Sequence, residues 1–348
     1  MSVLYIVIAI LIFGVLIAVH EAGHFAAAKL FGVKVNEFAI GMGPAIFKKQ
    51  KGETLYSLRC IPLGGYCAML GEDTQLDDPG AFTGKPWWQR AIILAAGAFM
   101  NLVTGLLIVI ILYSNAAAFR APVIAGFMDG SRLESTFEVG DRIRSIDGHK
   151  IYLYSDVPEN LTEGVHDFTV IRGGEKHELK GIELKLQEFE GYEGKYFGVQ
   201  FGLDEGSPGN KLKYSWNTVR EFTRWVWDGL HMLLSGEAKA KDLSGPVGIV
   251  DLMAETGEQS ESVSDALYNI FYLGAFIAVN LAVMNLLPIP ALDGGRIFCL
   301  IITAVIEAIT KKKLDPKYEG YIHAAGMVLL LALMGFVMFN DIVKLVRK

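Results

Sequence analysis

The chain has 348 residues, of which 52% are hydrophobic and 20% charged, and its mean hydropathy is +0.35. This composition is too apolar for a soluble enzyme of the same length. The net charge of −6 argues against nucleic acid as a partner, and three cysteines do not indicate a disulfide framework.

Four apolar runs are long enough to cross a bilayer, whose hydrocarbon core of about 30 Å needs roughly 20 helical residues. They cover residues 3–31, 90–113, 266–288 and 321–342. The first run lacks a basic start and a cleavage site, so we interpret it as a retained span and not as a signal peptide. The sequence therefore predicts a polytopic α-helical membrane protein with four transmembrane helices.

Basic residues gather in the two loops that join spans one to two and three to four. They are Lys29, Lys34, Lys48, Lys49, Lys51, Arg59, Lys85 and Arg90 in the first loop and at the span ends beside it, and Arg296, Lys311, Lys312, Lys313 and Lys317 in the second loop. Because such loops stay in the cytoplasm, residues 114–265 and both termini should face outward. Lys344, Arg347 and Lys348 lie on the side that this rule disfavours.

The first half of the membrane domain, residues 1–115, also contains a strand-like segment at 41–72. Glycine and proline at 41–44 break regular structure, residues 54–59 alternate like a strand, and a second short run covers 66–70. Lipid offers no hydrogen-bond partners to such a backbone. We therefore expect a membrane-reentrant β-hairpin beside the first span.

Residues 116–208 show short strands with turns and predict a compact outward domain. A strand is expected at 142–146, between a Gly-Asp turn and an Asp-Gly turn. This string resembles the central strand of a PDZ domain, which indicates one extracytoplasmic PDZ-like α+β domain. Such a domain binds peptides by strand addition, or it acts only as a steric gate; both alternatives stay open.

Residues 209–265 are expected to form an amphipathic helix and a linker before the second half of the membrane domain, residues 266–348. The helix is predicted between residues 211 and 235, and its apolar positions are Trp216, Val219, Phe222, Val226, Leu230 and Leu233. We interpret it as a helix that lies on the outer membrane surface; the alternative is a helix that packs on the outward domain.

His20, Glu21 and His24 form the pattern H-E-x-x-H within the first span. Positions i and i+4 of a helix share a face, so both imidazoles can reach one zinc ion, and Glu21 can reach its water. Polar groups in an apolar span are costly, and a metal offsets that cost. The alternative is a polar contact between helices.

A catalytic zinc normally has a third protein ligand, and Asp293 is the candidate. Two prolines and two glycines in residues 285–295 break the helix and allow a tight turn that could aim this carboxylate inward. Asp293 could instead cap a helix that begins near Arg296. Cys60 and Cys67 are rival ligands, but their spacing fits no usual zinc pair.

Four motifs together resemble the site-2 protease family, and within it the bacterial branch of regulator-of-sigma-E proteases. They are HEAGH at 20–24, PLGGY at 62–66, SGPVGI at 244–249 and NLLPIPALDGG at 285–295. The resemblance implies a zinc metalloendopeptidase of the bacterial inner membrane, with its active site towards the cytoplasm. It also implies cleavage of single-span membrane proteins, such as anti-sigma factors or signal-peptide remnants, after a first protease has removed their outer part.

The resemblance further implies roles for individual residues. His20, His24 and Asp293 match the zinc ligands, Glu21 matches the general base, and Asn285 matches a residue that holds the substrate backbone. The hairpin residues Gly64, Gly65 and Tyr66 are expected to bind substrate as well. Two features depart from the family pattern: Ala98 stands where many members carry proline, and the outward segment has room for one PDZ domain where better-known members carry two.

Two rival functions belong to other classes. An inactive membrane scaffold that binds clients through its outward domain has no need of polar ligands within its spans. A metal-ion transporter could use the same three ligands, but transporter sites usually fall between repeated halves, and the sequence has no such repeat.

Overall fold

The computed structural model describes residues 2–72, 74, 76–237, 244–311 and 317–347. The predictions that involve Lys312, Lys313, Lys348 and the linker residues 238–243 lie outside these ranges. Contacts divide the chain into two compact units. The first unit comprises Met1–Val109 and Glu221–Lys348, and the second comprises Ile110–Arg220.

Two groups of strands are separated by helices along the chain, and the last part of the chain is entirely helical among the described residues. The helices are α1 (Ser2–Leu30), α2 (Trp87–Tyr113), α3 (Asp156–Asn160), α4 (Pro208–Ser235), α5 (Pro246–Gln259), α6 (Val263–Asn285), α7 (Asp293–Thr310) and α8 (Lys317–Arg347). The strands are β1 (Val35–Lys51), β2 (Thr54–Met69), β3 (Ala118–Phe127), β4 (Arg142–Ile146), β5 (His149–Lys150), β6 (Gly164–Arg172), β7 (Glu175–Leu184), β8 (Gln187–Glu188), β9 (Lys195–Tyr196) and β10 (Val199–Glu205).

Four helices among the described residues are long and apolar enough to cross a membrane. The candidate spans are Val3–Leu30, Trp87–Tyr113, Val263–Asn285 and Gly320–Leu345, which lie in α1, α2, α6 and α8. They agree with the four predicted spans and support a multi-pass membrane protein. α2 runs without interruption through Ala98, where the family pattern has proline.

β1 and β2 form a sheet of four pairing segments. Residues 35–40 pair with 65–69 on one side and with 55–58 on the other, and residues 45–51 pair with 54–59. The sequence suggested a break at 41–44 and two separate runs at 54–59 and 66–70, but residues 41–44 lie inside β1 and both runs belong to β2, which ends at Met69. Glycines at positive φ, such as Gly41 at +85° and Gly64 at +79°, allow irregular register there without ending the strands.

The core of the first unit forms where α1 packs against α5 and α6. Tyr5 and Leu16 of α1 are almost fully buried there, together with Met253 and Ile270. Because lipid tails are as apolar as these side chains, the packing of the two spans is stabilised by van der Waals contact and not by transfer out of water. This packing holds α1, the helix that carries the H-E-x-x-H pattern, against its neighbours.

The start of α5 is tied to α8 by one buried carboxylate. Asp341 Oδ2 accepts hydrogen bonds from the backbone N–H groups of Gly245 and Gly248, each at 2.9 Å. A Cβ at either glycine would press against this side chain. The SGPVGI motif therefore supplies a helix start with open N–H groups, and Asp341 satisfies two of them.

The second unit contains a sheet with the strand order β10-β3-β4-β6-β7, and β5 pairs with β4. The predicted strand between the two turns is confirmed as β4, which lies in the middle of this order. Ile146 and Val170 are buried in its core, where Phe137 and Phe168 meet edge to face at 5.1 Å.

An ion pair between a buried aspartate and a partly exposed arginine lies at one end of this sheet. Asp141 is fully buried, and Arg172 donates two hydrogen bonds to it at 2.8 and 2.7 Å. Burial alone would raise the pKa of the Asp141 carboxyl, but the hydrogen bonds from Arg172 and from the Glu138 N–H outweigh it and hold that pKa below its ordinary value.

The apolar face of α4 that the sequence predicted is buried only in its middle, at Val219, Phe222 and Val226, whereas Trp216 and Leu233 are exposed. In the second unit, Tyr214 stacks on Phe119 with ring centroids 4.4 Å apart. In the first unit, Phe222 is fully buried and contacts Tyr272 and Phe276 of α6. The middle of this face is therefore covered by α6 and is not available to lipid.

Candidate metal centre

α1 presents His20 and His24 one helical turn apart on one face. Their Nε2 atoms are 3.2 Å apart, and the two rings are nearly perpendicular at 86°. His24 is 7% exposed. The regular helix is what brings these two nitrogens together, since residues i and i+4 are neighbours on its surface.

Asp293 reaches the same point from α7. Its Oδ2 lies 3.2 Å from Nε2 of His20 and 3.3 Å from Nε2 of His24. α7 begins at Asp293 itself, and its N-cap residue is Leu292. The alternative prediction, in which Asp293 caps a helix that begins near Arg296, therefore does not apply. Gly295 permits the tight link before α7, because a Cβ there would meet the backbone of Ile289.

The three atoms fit a zinc ion. Two ligands that are each about 2.0–2.1 Å from a tetrahedral zinc lie about 3.3–3.4 Å apart, close to the observed separations. Asp293 Oδ2 is buried and has no hydrogen-bond donor, a costly state that a cation would relieve. Within the described ranges, these three residues form the group suited to a metal, and Cys60 and Cys67 are not part of it.

α2 supports both imidazoles from behind. His24 Nδ1 donates to the Ile93 carbonyl at 2.9 Å, and His20 Nδ1 lies 3.4 Å from Nδ2 of Asn101. Gly97 lies between them and leaves room for both rings. Sequence reasoning missed these three positions; the one available signal was Asn101, a polar residue within an apolar span.

A cavity of about 630 Å³ opens beside the three ligand atoms. It is lined by His20, Glu21, His24, Leu94, Asp293 and Met327, by residues 65–69 of β2, and by Glu72, Ala291, Arg296, Gly320, His323 and Ala324. Glu21 lies against Gly65, where an added Cβ would be 3.0 Å from Glu21 Cγ. The H-E-x-x-H carboxylate and the hairpin thus share one wall.

The predicted substrate-binding residues divide into two groups. Gly65 and Tyr66 line the cavity, whereas Gly64 and Asn285 are not among its described lining residues. Asn285 is half-buried as the last residue of α6. The Tyr66 hydroxyl accepts a hydrogen bond from Arg59, which fixes the ring at the cavity wall.

Sequence reasoning also missed two polar contacts at this cavity. Arg296 and Glu72 form an ion pair that joins α7 to the segment after β2. His323 of α8 accepts a hydrogen bond at Nδ1 from the Ala291 N–H at 3.3 Å. No local pattern pointed to them, because each contact joins residues that are far apart in the chain.

Comparison with known proteins agrees with this architecture. The sequence profile of peptidase family M50 matches residues 8–333. The chain is 36% identical over 344 residues to a "Putative zinc metalloprotease" of Clostridium perfringens, which covers 98% of this chain and 99% of the relative. It is 28% identical over 429 positions to the regulator of sigma-W protease RasP of Bacillus subtilis, which covers 97% of each chain. A zinc metalloprotease RasP of Geobacillus kaustophilus is 27% identical over 96% of this chain and 97% of the relative.

The apolar helices and the histidine and carboxylate cluster, together with these relatives, indicate a metalloprotease of a multi-pass membrane class. The chain belongs to peptidase family M50, the site-2 protease family. Its cofactor is zinc, as in the zinc metalloproteases that it resembles.

Proposed function

We propose that this protein is an intramembrane zinc endopeptidase that cleaves single-span membrane proteins after a first protease has shortened them outside the membrane. Anti-sigma factors and signal-peptide remnants are the substrate classes we expect. One observation carries the proposal: the ligand atoms of His20, His24 and Asp293 converge within 3.3 Å of one another at an apolar candidate span.

In this proposal His20, His24 and Asp293 hold the zinc ion. When bound, zinc supplies a Lewis acid that polarises the scissile carbonyl and activates water. Glu21 is the general base that takes the proton of that water at its carboxylate and later returns it to the leaving amine. Its place on the cavity wall, one residue from a ligand, supports this role.

Residues 65–69 are suited to hold an unwound substrate. Within the part of the chain that the structure describes, this segment has a ladder partner on one side only, residues 35–40. It also lines the cavity beside the metal ligands. A transmembrane helix must open before cleavage, and strand addition at this edge would replace its lost backbone hydrogen bonds. Gly64, Gly65, Tyr66 and Asn285 are the proposed substrate-binding residues.

The proposal places the chain in a bacterial inner membrane, with residues 116–208 outside the cell membrane and the metal centre towards the cytoplasm. The basic loop residues support this orientation. Residues 116–208 are proposed as the PDZ-like domain, which binds the newly exposed end of a shortened substrate or excludes bulky substrates.

The test replaces Glu21 with Gln and measures zinc content and cleavage in detergent. The probe is a tagged single-span anti-sigma factor, used whole and with its outer part removed. We expect Glu21→Gln to keep zinc and to lose about 10²–10⁴-fold in cleavage rate. Glu53→Gln, an exposed change in the hairpin turn region, is the matched control and should cleave normally.

Undiminished cleavage by Glu21→Gln would rule out the proposed mechanism. Equal cleavage of the whole and the shortened probe would instead remove the requirement for a first cut. Wild-type protein without stoichiometric zinc would contradict the metal site itself.

A further inference from the structure

Asn101 is a buried polar residue that the proposed chemistry leaves without a role. It lies in the middle of α2 and is 1% exposed. Its Nδ2 is 3.4 Å from His20 Nδ1, and its Oδ1 is buried without a hydrogen-bond partner. An unsatisfied buried oxygen costs stability, so this amide needs a physical explanation.

The surroundings of His24 show which of its ring nitrogens carries the proton and which is left to bind zinc. Its Nδ1 faces the Ile93 carbonyl at 2.9 Å, and a carbonyl oxygen can only accept a hydrogen bond. Nδ1 of His24 therefore carries the ring proton. In the neutral ring Nε2 then has a free lone pair, and this is the atom that faces Asp293.

His20 must present Nε2 in the same way, and Asn101 faces its Nδ1. An amide N–H pointing at Nδ1 would make Nδ1 the acceptor and would move the ring proton to Nε2. That proton would then point at the ligand cluster and would block coordination. Rotating the amide by half a turn exchanges two ends of nearly equal size. It puts Oδ1 against Nδ1–H and gives the orphaned oxygen its donor.

We propose that Asn101 is a positioning residue that accepts the Nδ1–H of His20 and so holds Nε2 ready for zinc. The inference rests on the metal site of the proposed function. Partners of this kind, outside the ligands themselves, fix the ring orientation of metal-binding histidines in proteins generally. Here a backbone carbonyl serves one ligand and a side-chain amide serves the other.

The backbone of α2 supports this arrangement. Ile93, Gly97 and Asn101 are four residues apart and are all buried, so they form one stripe on the helix. A Cβ at Gly97 would lie 2.8 Å from Cε1 of both His20 and His24. The stripe is therefore in close contact with both rings, and a small change in the Asn101 side chain acts directly on His20.

The experiment compares zinc affinity in full-length wild type, Asn101→Leu, Asn101→Asp and Thr104→Val, by competition with a chromophoric chelator. Leu has similar size but no acceptor, whereas Asp keeps an acceptor and loses the donor. Thr104 is the control, because its hydroxyl bonds the Met100 carbonyl on the same helix. Cobalt(II) absorption spectra of the substituted proteins report whether the ligand geometry is kept.

We expect Asn101→Leu to weaken zinc binding about 10–100-fold and to change the cobalt spectrum. Asn101→Asp and Thr104→Val should stay within a few-fold of wild type with an unchanged spectrum. A purely structural role would instead make Asp as harmful as Leu, and that result overturns the proposal. So does wild-type affinity in Asn101→Leu.

The comparison also separates this inference from the proposed function. If the wild type and His20→Ala held zinc equally well, the ligand assignment would fail and this inference with it. If His20→Ala lost zinc while Asn101→Leu kept it, only the role of Asn101 would fail. Should Asn101→Leu not yield folded protein, the Asp variant decides alone, because a tenfold loss of affinity there refutes an acceptor role.

Discussion

Replacing Gly97 with Ala should damage the metal centre although every ligand residue is kept. The new Cβ would lie 2.8 Å from Cε1 of both His20 and His24, and closer still to His24 Nε2. Carbon atoms in contact prefer about 3.5–4.0 Å, so the rings or α2 must move by about 0.7 Å or more. Metal sites tolerate errors of only about 0.2 Å in ligand distance. We therefore expect zinc affinity to fall at least tenfold, in line with other changes that misorient ligands.

The assay measures zinc affinity and cleavage by Gly97→Ala beside Gly14→Ala. Gly14 lies on α1, and a Cβ there would meet nothing within 4 Å. Because alanine favours helix more than glycine does, the control should bind zinc normally and be at least as stable as wild type. Wild-type zinc affinity in Gly97→Ala would refute the reasoning, and so would an equal loss in both variants.

Two further predictions concern stability. Because the pKa of Asp141 is lowered in the folded state, its contribution is complete above about pH 4, near the pKa of an unfolded aspartate, and is lost as the pH falls through the folded value. Asp141→Asn should therefore make the second unit easier to proteolyse at pH 7, with a difference from wild type that shrinks towards pH 3. Asp341→Ala leaves the N–H groups of Gly245 and Gly248 without their acceptor. It should cost about 1–3 kcal/mol per unsatisfied group, seen as a lower melting temperature in detergent, with unchanged zinc affinity in the folded protein.

The local half of the metal site could be predicted from the sequence. His20 and His24 are four residues apart, and Glu21 follows His20 directly. Any regular helix places residues i and i+4 on the same face, so this arrangement does not depend on the rest of the chain. The prediction of Asp293 as a ligand rested on two further arguments. A catalytic zinc normally has a third protein ligand, and the prolines and glycines around Asp293 allow a sharp turn. The structure brings its carboxylate to 3.2 Å from His20 Nε2, although no spacing rule joins residues so far apart.

The sheet formed by β1 and β2 was only partly predictable. Its strand character is local, but the pairing of residues 35–40 with two different segments depends on where the register shifts. Those shifts occur around Gly41, Gly43 and Gly64, all at positive φ. A glycine in a sequence permits such a conformation and does not require it, so these residues looked like strand ends. The lining of the cavity by residues 65–69 follows from that register and could not be predicted without it.

The support of the imidazoles shows why a short motif is only part of a metal site. His24, the later ligand on α1, contacts Ile93, which comes early on α2. His20, four residues earlier on α1, lies beside Asn101, which comes later on α2. The two helices therefore run in opposite directions at the site. Four helical residues rise about 6 Å, so a slip of one turn would leave His24 without the Ile93 carbonyl and His20 without the amide. Asn101 therefore lies beside His20 only when α1 and α2 are aligned in this one register. Its contact with His20 could not be predicted from the sequence of α2 alone.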